Sequence, residues 1–434
     1  MSEFSLQLEP KPDAASDDPC RLRIGAGETV FTRLLRNQGH QPDDAVLVAP
    51  APLAYWFCDN WWRLRWESIP VSGPTAAWRL SHDIASVGGG YAWPRLCIWG
   101  DLDRIGLLSQ ADPIGVIGPV RYLTDALLYV PATGYEAQVD QFLDRVADAQ
   151  QGFGSDRQAL RALIGALRAE RTDPAVARWR RIEARLGCDP DQGPDEAIEA
   201  LGALANHFGL EAVEEAIAAR PGGDASQVLE RAVSMARAAG QRCDFSALLS
   251  AVSPMLRTPS EPPWMAAELA AQRVRAAAGI QRGPLHTKWL AELLGTTSEA
   301  FQQTASHERL AYGLRLGEQG PTGLQSITLR AKWQEGRRFE LCRALGDTLW
   351  ATDDILGPLA PTSTVRQKFQ RAFAQSLLCP FDELQEELDT DCPDDDDIAA
   401  AARHFHVAER VVQTVLVNKQ IVERGRFTDL LEAA

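Results

Sequence analysis

Arg338-Phe339-Glu340-Leu341-Cys342-Arg343-Ala344-Leu345-Gly346-Asp347 decides how this chain reads. The run predicts a helix, on which Arg343 and Asp347, four apart, share one face, with Ala344 next to Arg343. Opposite charges at that spacing predict a direct Arg343–Asp347 ion pair. Exposed, such a pair contributes a few tenths of a kcal/mol. Buried, it chiefly confers specificity and leaves a costly charge when one partner is removed. The plainer reading is two solvated residues with no further duty.

Around this helix lie 434 residues, 45% of them hydrophobic, enough to bury a large core in two to four domains. The 44 Lys plus Arg face 59 Asp plus Glu, and the formal charge of -15 argues against non-specific phosphate neutralisation as the main activity. Eight Cys are scattered singly with no CxxC pair, which predicts reduced thiols. The N-terminus lacks a basic and apolar leader, and no run of about 18 apolar residues occurs, so a soluble cytoplasmic protein without membrane contact is expected. Signatures of the forms GxxxxGK[ST], GxSxG and GxGxxG are absent, and Gly88-Gly89-Gly90 reads as a turn.

Working outward, four segments emerge, and the expected class is α+β, predominantly helical. Residues 1–28 are polar with Pro and Asp and read as a flexible lead-in. Residues 29–135 read as a Trp-rich α/β module, with short apolar runs at 45–49, 96–99, 105–108, 114–117 and 127–130 punctuated by Gly, Pro and Asp. Seven of twelve Trp fall between Trp56 and Trp99. Within it, residues 53–67 read as a helix, since the run is too long for a typical strand and sets Trp62 and Trp66 on one face. Trp61, Trp62, Arg63, Arg65 and Trp66 then form either an aromatic core or a recognition surface for bases or a peptide. Residues 136–257 carry helical periods at 156–171, 174–186, 195–207 and 225–239 and read as a helical connector. A Pro-rich break at 258–263 precedes the last segment, 264–434.

That last segment resembles the ImmA/IrrE family of bacterial zinc-metallopeptidase-like domains. The family's "LA..LG" segment is matched by Leu290–Gly295, its "RRF.LA.ELGH" helix by Arg337–Asp347, its "FA..LLMP" helix by Phe373–Pro380, and its "aA..F.Vs...v...L" segment by Ala401–Leu416. The resemblance implies a zincin-like fold. In an HExxH helix two His at i and i+4 bind zinc and the adjacent Glu activates water. Here those positions are Arg343, Asp347 and Ala344, and the third ligand position falls on Gln367 or Phe369. With every ligand and the general base replaced, the resemblance implies a non-catalytic pseudo-peptidase with no metal and no cofactor. Its expected role is that of a regulator, sensor or assembly subunit binding a protein partner, in a bacterial stress, mobile-element or phage-defence setting.

Other constellations are weaker. His404 and His406 point about 200° apart on a helix, and His40, His82, His207, His286 and His307 read as isolated. Asp394–Asp397 reads as an acidic helix start. Residues 290–301 and 398–416 mimic helix-turn-helix elements, the first offering Thr296, Thr297, Ser298, Glu299 and the adjoining Gln302 as candidate base readers and the second Glu409, Arg410 and Gln413. A nucleic-acid-binding regulator is therefore an alternative that the net charge does not favour. A further alternative is a hydrolase with a relocated metal site using His82, Asp101 and Asp103.

Overall fold

The computed structural model describes residues 3–9, 19–36, 41–115, 118–149, 155–252, 262–302, 310–318, 323–388, 390 and 392–422. Two compact units divide the chain, Met1–Ile198 and Glu199–Ala434. The fold is mixed α+β and predominantly helical, with several small sheets and buried Trp clusters.

In the first unit the expected lead-in contains two core strands. β1 (Phe4–Glu9) alternates apolar and polar residues and pairs antiparallel with β2 (Cys20–Ala26), Leu6 opposite Ile24. Phe4, Leu6, Leu22 and Ile24 turn inward, and burying each contributes about 1.5–3 kcal/mol, which outweighs the polar character of the other face. β3 (Thr29–Val30) extends the sheet, and β5 (Val46–Val48), which follows β4 (Leu34–Arg36), pairs with β2. α1 (Pro50–Trp66) begins with Pro at its first turn, where the missing N–H is not needed, and α2 (Ala76–His82) follows. A meander of β6 (Leu96–Asp101), β7 (Arg104–Ser109) and β9 (Ala126–Pro131) forms a second sheet, while β8 (Val120–Tyr122) pairs with β4. Of the expected strands only 114–117 is not found: Ile114 lies exposed in a turn, and 116–117 fall outside the described residues. α3 (Ala132–Ala149), α4 (Ser155–Thr172) and α5 (Pro174–Arg185) all pack on α1.

The unit boundary falls within α6 (Asp195–Phe208), so the helices expected as one connector are shared out. α7 (Leu210–Ala219) and α8 (Ala225–Ala239) belong to the second unit. So does β10 (Gln241–Asp244), whose backbone pairs with β12 (Leu324–Thr328) in the antiparallel order β10-β12-β11-β13. β11 is Gly313–Gly317 and β13 is Leu356–Leu359. Between these strands run α9 (Ser246–Ala251), α10 (Pro263–Ala277), α11 (Thr287–Leu293) and α12 (Gln334–Trp350). α13 (Val365–Leu378), α14 (Phe381–Leu388), α15 (Asp395–Phe405) and α16 (Glu409–Asn418) complete the unit. Most of the Pro-rich break lies outside the described residues. α12 packs on α13, and Gly346 permits the close approach: a methyl there would lie 2.7 Å from the Phe373 ring.

Candidate functional site

α12 carries Arg343 and Asp347 toward α13, which carries Arg366, Gln367 and Gln370. The expected Arg343–Asp347 ion pair does not form. Asp347 is fully buried and instead accepts from Arg315 Nε on β11 at 2.8 Å and from Arg366 on α13, Nε at 2.7 Å and Nη2 at 3.0 Å. Gln370 Nε2 adds a fourth bond at 2.6 Å. Arg343 Nη2 donates elsewhere, to Ala360 O and Gln367 Oε1 at 2.7 Å each and to Gln370 Oε1 at 3.1 Å. Two guanidiniums from distant chain positions therefore outcompete the local helical neighbour, and Gln370 bridges the two halves of the cluster.

The four donors fill the roughly four lone-pair positions of the Asp347 carboxylate. Burial alone would raise its pKa, but the Arg366 and Arg315 guanidiniums outweigh that and hold it at about 2. Burial also opposes the Arg366 charge, and Asp347 overcomes it, so the Arg366 pKa is raised. Arg343 has no such carboxylate, and burial pulls it down to about 10, offset in part by Glu340 and Asp347. Gly357 on β13 is required here, because a Cβ at that position would lie 1.7 Å from Asp347 Oδ2.

Three of the positions singled out in sequence, Arg343, Asp347 and Gln367, are thus drawn into one buried network. Gln367 Nε2 donates to Pro358 O at 2.8 Å, an oxygen that Gln370 Nε2 also reaches at 3.1 Å. Phe369 is not part of it and packs against Trp350 and Phe373. Ala344 is buried and offers only a methyl where an HExxH helix would carry its general base. A carboxylate saturated by four donors and surrounded by cations is a poor metal ligand and a poor proton acceptor. Comparison with known protein families, with curated proteins and with solved structures finds no match to this chain. Among the described residues, no group of three or more His, Cys, Asp or Glu side chains is placed to hold a metal ion.

For α1, expected as either an aromatic core or a recognition surface, the side chains are mostly interior. Trp61, Trp62, Arg63 and Arg65 are buried, and Trp66 is partly so. Arg63 donates to Glu67 at 2.7 Å, to Ser81 at 2.7 Å and to Asp189 at 3.0 Å, and Arg65 donates to Glu136 at 2.6 Å. Trp62 Nε1 donates to Glu170 at 2.8 Å, and Arg65 and Arg181 both stack over the Trp66 ring. The reason is local: α2, α3, α4 and α5 all pack against α1, so its arginines serve as internal ties. A cleft of about 550 Å³ is lined by edges of Trp61, Trp62 and Trp66 with Arg168, Arg171 and Arg181. His82 is fully buried, with Nδ1 2.6 Å from Ile98 O and Nε2 2.8 Å from Glu67, so neither ring nitrogen turns to Asp101 or Asp103.

Of the helix-turn-helix-like segments, two candidate readers are committed internally, while Thr297, Glu299, Gln302 and Glu409 are exposed. Thr296 Oγ1 bonds Arg242 O and Gln241 Nε2, and Gln413 is buried within α16. Sequence reading missed Arg315 and Arg366 altogether, although Arg366 and Gln370 stand at i,i+4 beside Gln367. It also missed that His286 Nδ1 meets His406 Nε2 at 3.1 Å, a contact made across 120 residues. His40 and His307 lie outside the described residues.

Among the described residues, no helix is long and apolar enough to cross a membrane.

Proposed function

We propose that the second unit is a degenerate ImmA/IrrE-like, zincin-derived domain that has lost catalysis and acts by binding a protein partner, as a regulator, sensor or assembly subunit. One observation carries this reading. The positions where the resemblance would set metal ligands, Arg343, Asp347 and Gln367, do meet in space, and they meet as a filled guanidinium–carboxylate–carboxamide network. Convergence supports the resemblance, and the chemistry of the residues supports the loss of hydrolysis. Hydrolytic zinc needs three protein ligands and an open position. Three guanidiniums, one saturated carboxylate and two carboxamides supply neither.

Recognition then falls to the surface of the same unit. Trp289 and Trp333 are 53% and 78% exposed, and large exposed aromatic side chains are the kind that anchor protein interfaces. The test is cross-linked partner capture in the native host with wild type and with Trp289→Ala/Trp333→Ala. Loss of one discrete partner from the variant, with an unchanged melting temperature, supports the reading. Cleavage of a captured protein by the wild-type chain would overturn it.

A further inference from the structure

Two segments far apart in the chain meet at one junction of the second unit. His286 stands at the start of α11, and His406 ends α15 with a left-handed backbone, φ 52°. His286 Nδ1 lies 3.1 Å from His406 Nε2, with the ring centroids 5.3 Å apart. At those two distances both nitrogens sit close to the line joining the rings, the head-on arrangement of one imidazole donating to the other's lone pair. Arg338 of α12 is buried and ties the same two segments from inside. Its Nε donates to His406 O at 3.1 Å, its Nη1 to Thr287 Oγ1 at 3.1 Å and its Nη2 to Leu285 O. Both histidines are exposed, so protons from solvent reach the outer tie while the inner one is sealed.

We propose that His286 and His406 form an acid-released clasp that holds the start of α11 against the end of α15. The bond needs a lone pair on one ring, so it survives a first proton and is lost with a second. Two imidazoliums at this separation would also repel each other beside the Arg338 guanidinium, whose bonds all go to neutral oxygens. Burial lowers the His406 pKa, and Arg338, His286 and His404 lower it further, against the pull of Glu335 on α12. The flanking charges are mixed: Lys288 on α11 and Arg403 on α15 are exposed cations, Glu409 on α16 is an exposed carboxylate, and Glu387 of α14 stands 3.6 Å from His404. The closed junction therefore binds fewer protons than the open one. Its stability is complete above about pH 6.5 and falls as the pH drops below that value. The inference goes beyond the proposed function and stands whether or not the domain descends from a peptidase.

The test is hydrogen–deuterium exchange of the full chain, read by mass spectrometry at about pH 7.5 and about pH 5.5 and corrected for the intrinsic pH dependence of amide exchange. In the wild type, peptides covering residues 286–293 and 400–407 should exchange about threefold to tenfold faster at the lower pH, the range that titration about one unit below an ordinary imidazole pKa allows. Peptides covering β11 and β13 should not change. His406→Asn keeps a residue that tolerates the left-handed backbone and removes the titration, so the difference between the two pH values should disappear. His286→Gln should behave in the same way, and it decides alone if His406→Asn disturbs α15, because His286 makes no side-chain cap bond. His404→Gln leaves the pair in place and should respond as wild type. Equal exchange at both pH values in the wild type, or a wild-type response in a folded His286→Gln or His406→Asn chain, overturns the proposal.

Discussion

Arg366 Nε donates to Asp347 Oδ1 at 2.7 Å, and neither side chain retains any exposed surface. With Arg315 on the other oxygen, the carboxylate is the hub that ties β11, α12 and α13 together. Asp347→Ala would leave the buried Arg315 without its carboxylate partner and Arg366 with Asp354 alone, and we expect a loss of about 3–5 kcal/mol in urea unfolding of the second unit's transition. A loss under about 1 kcal/mol would show that the hub is not formed in solution.

Arg343 should behave differently from Arg366, although both lie near Asp347. A double-mutant cycle pairing Arg366→Ala with Asp347→Ala should give a coupling of about 2 kcal/mol or more. The cycle pairing Arg343→Ala with Asp347→Ala should stay below about 1 kcal/mol, because only Gln370 links them. Equal couplings would restore the direct helical ion pair.

The Asp347 carboxyl, held at about 2 against its ordinary 3.8, binds its proton less tightly in the folded chain than in the unfolded one. Its contribution is therefore complete above about pH 4 and is lost as pH falls from there toward 2. Nearly two units correspond to roughly 2–3 kcal/mol. Asp347→Asn should be less stable than wild type at pH 6, and the gap should narrow on acidification to pH 2.5. A gap that stays constant over that range would mean that Asp347 is not the titrating group.

Gly357→Ala would push a methyl into Asp347 Oδ2 and to 2.8 Å from Arg315 Nε, so the pair must separate. We expect a cost of about 3 kcal/mol or more. Gly346→Ala meets only the Phe373 ring and should cost about 1–3 kcal/mol. A reversed order of the two in thermal or urea unfolding would contradict the packing described.

Local signals carried much of the fold. The expected helix at 53–67 is α1 (Pro50–Trp66), and the periods at 156–171, 174–186, 195–207 and 225–239 match α4, α5, α6 and α8 within a residue or two. Strands β5, β6, β7 and β9 fall on the apolar runs. Partnership was less legible. β1 looked like part of a polar leader because its alternation is short, and its partner β2 follows only after a Pro/Asp-containing stretch. β10 (Gln241–Asp244) joins a sheet whose other strands begin only at Gly313, Leu324 and Leu356, which no local pattern announces. The candidate site shows the same limit. Spacing put Arg343 and Asp347 on one face, but their true partners are set by strand β11 and helix α13, 32 and 19 residues from Asp347. The α1 segment read as either an aromatic core or a binding surface because sequence alone does not reveal the helices that pack around it.

We propose that the network around Asp347 stands where a hydrolytic metal site would lie and leaves no room for one. The most direct measurement is the metal content of tag-free protein, taken with and without EDTA treatment and read alongside the unfolding curve. We predict no stoichiometric zinc and unfolding that EDTA leaves unchanged. Stoichiometric zinc that EDTA removes, with a fall in stability and loss of zinc from Gln367→Ala, would contradict the account and place a working metal centre where we describe a filled one.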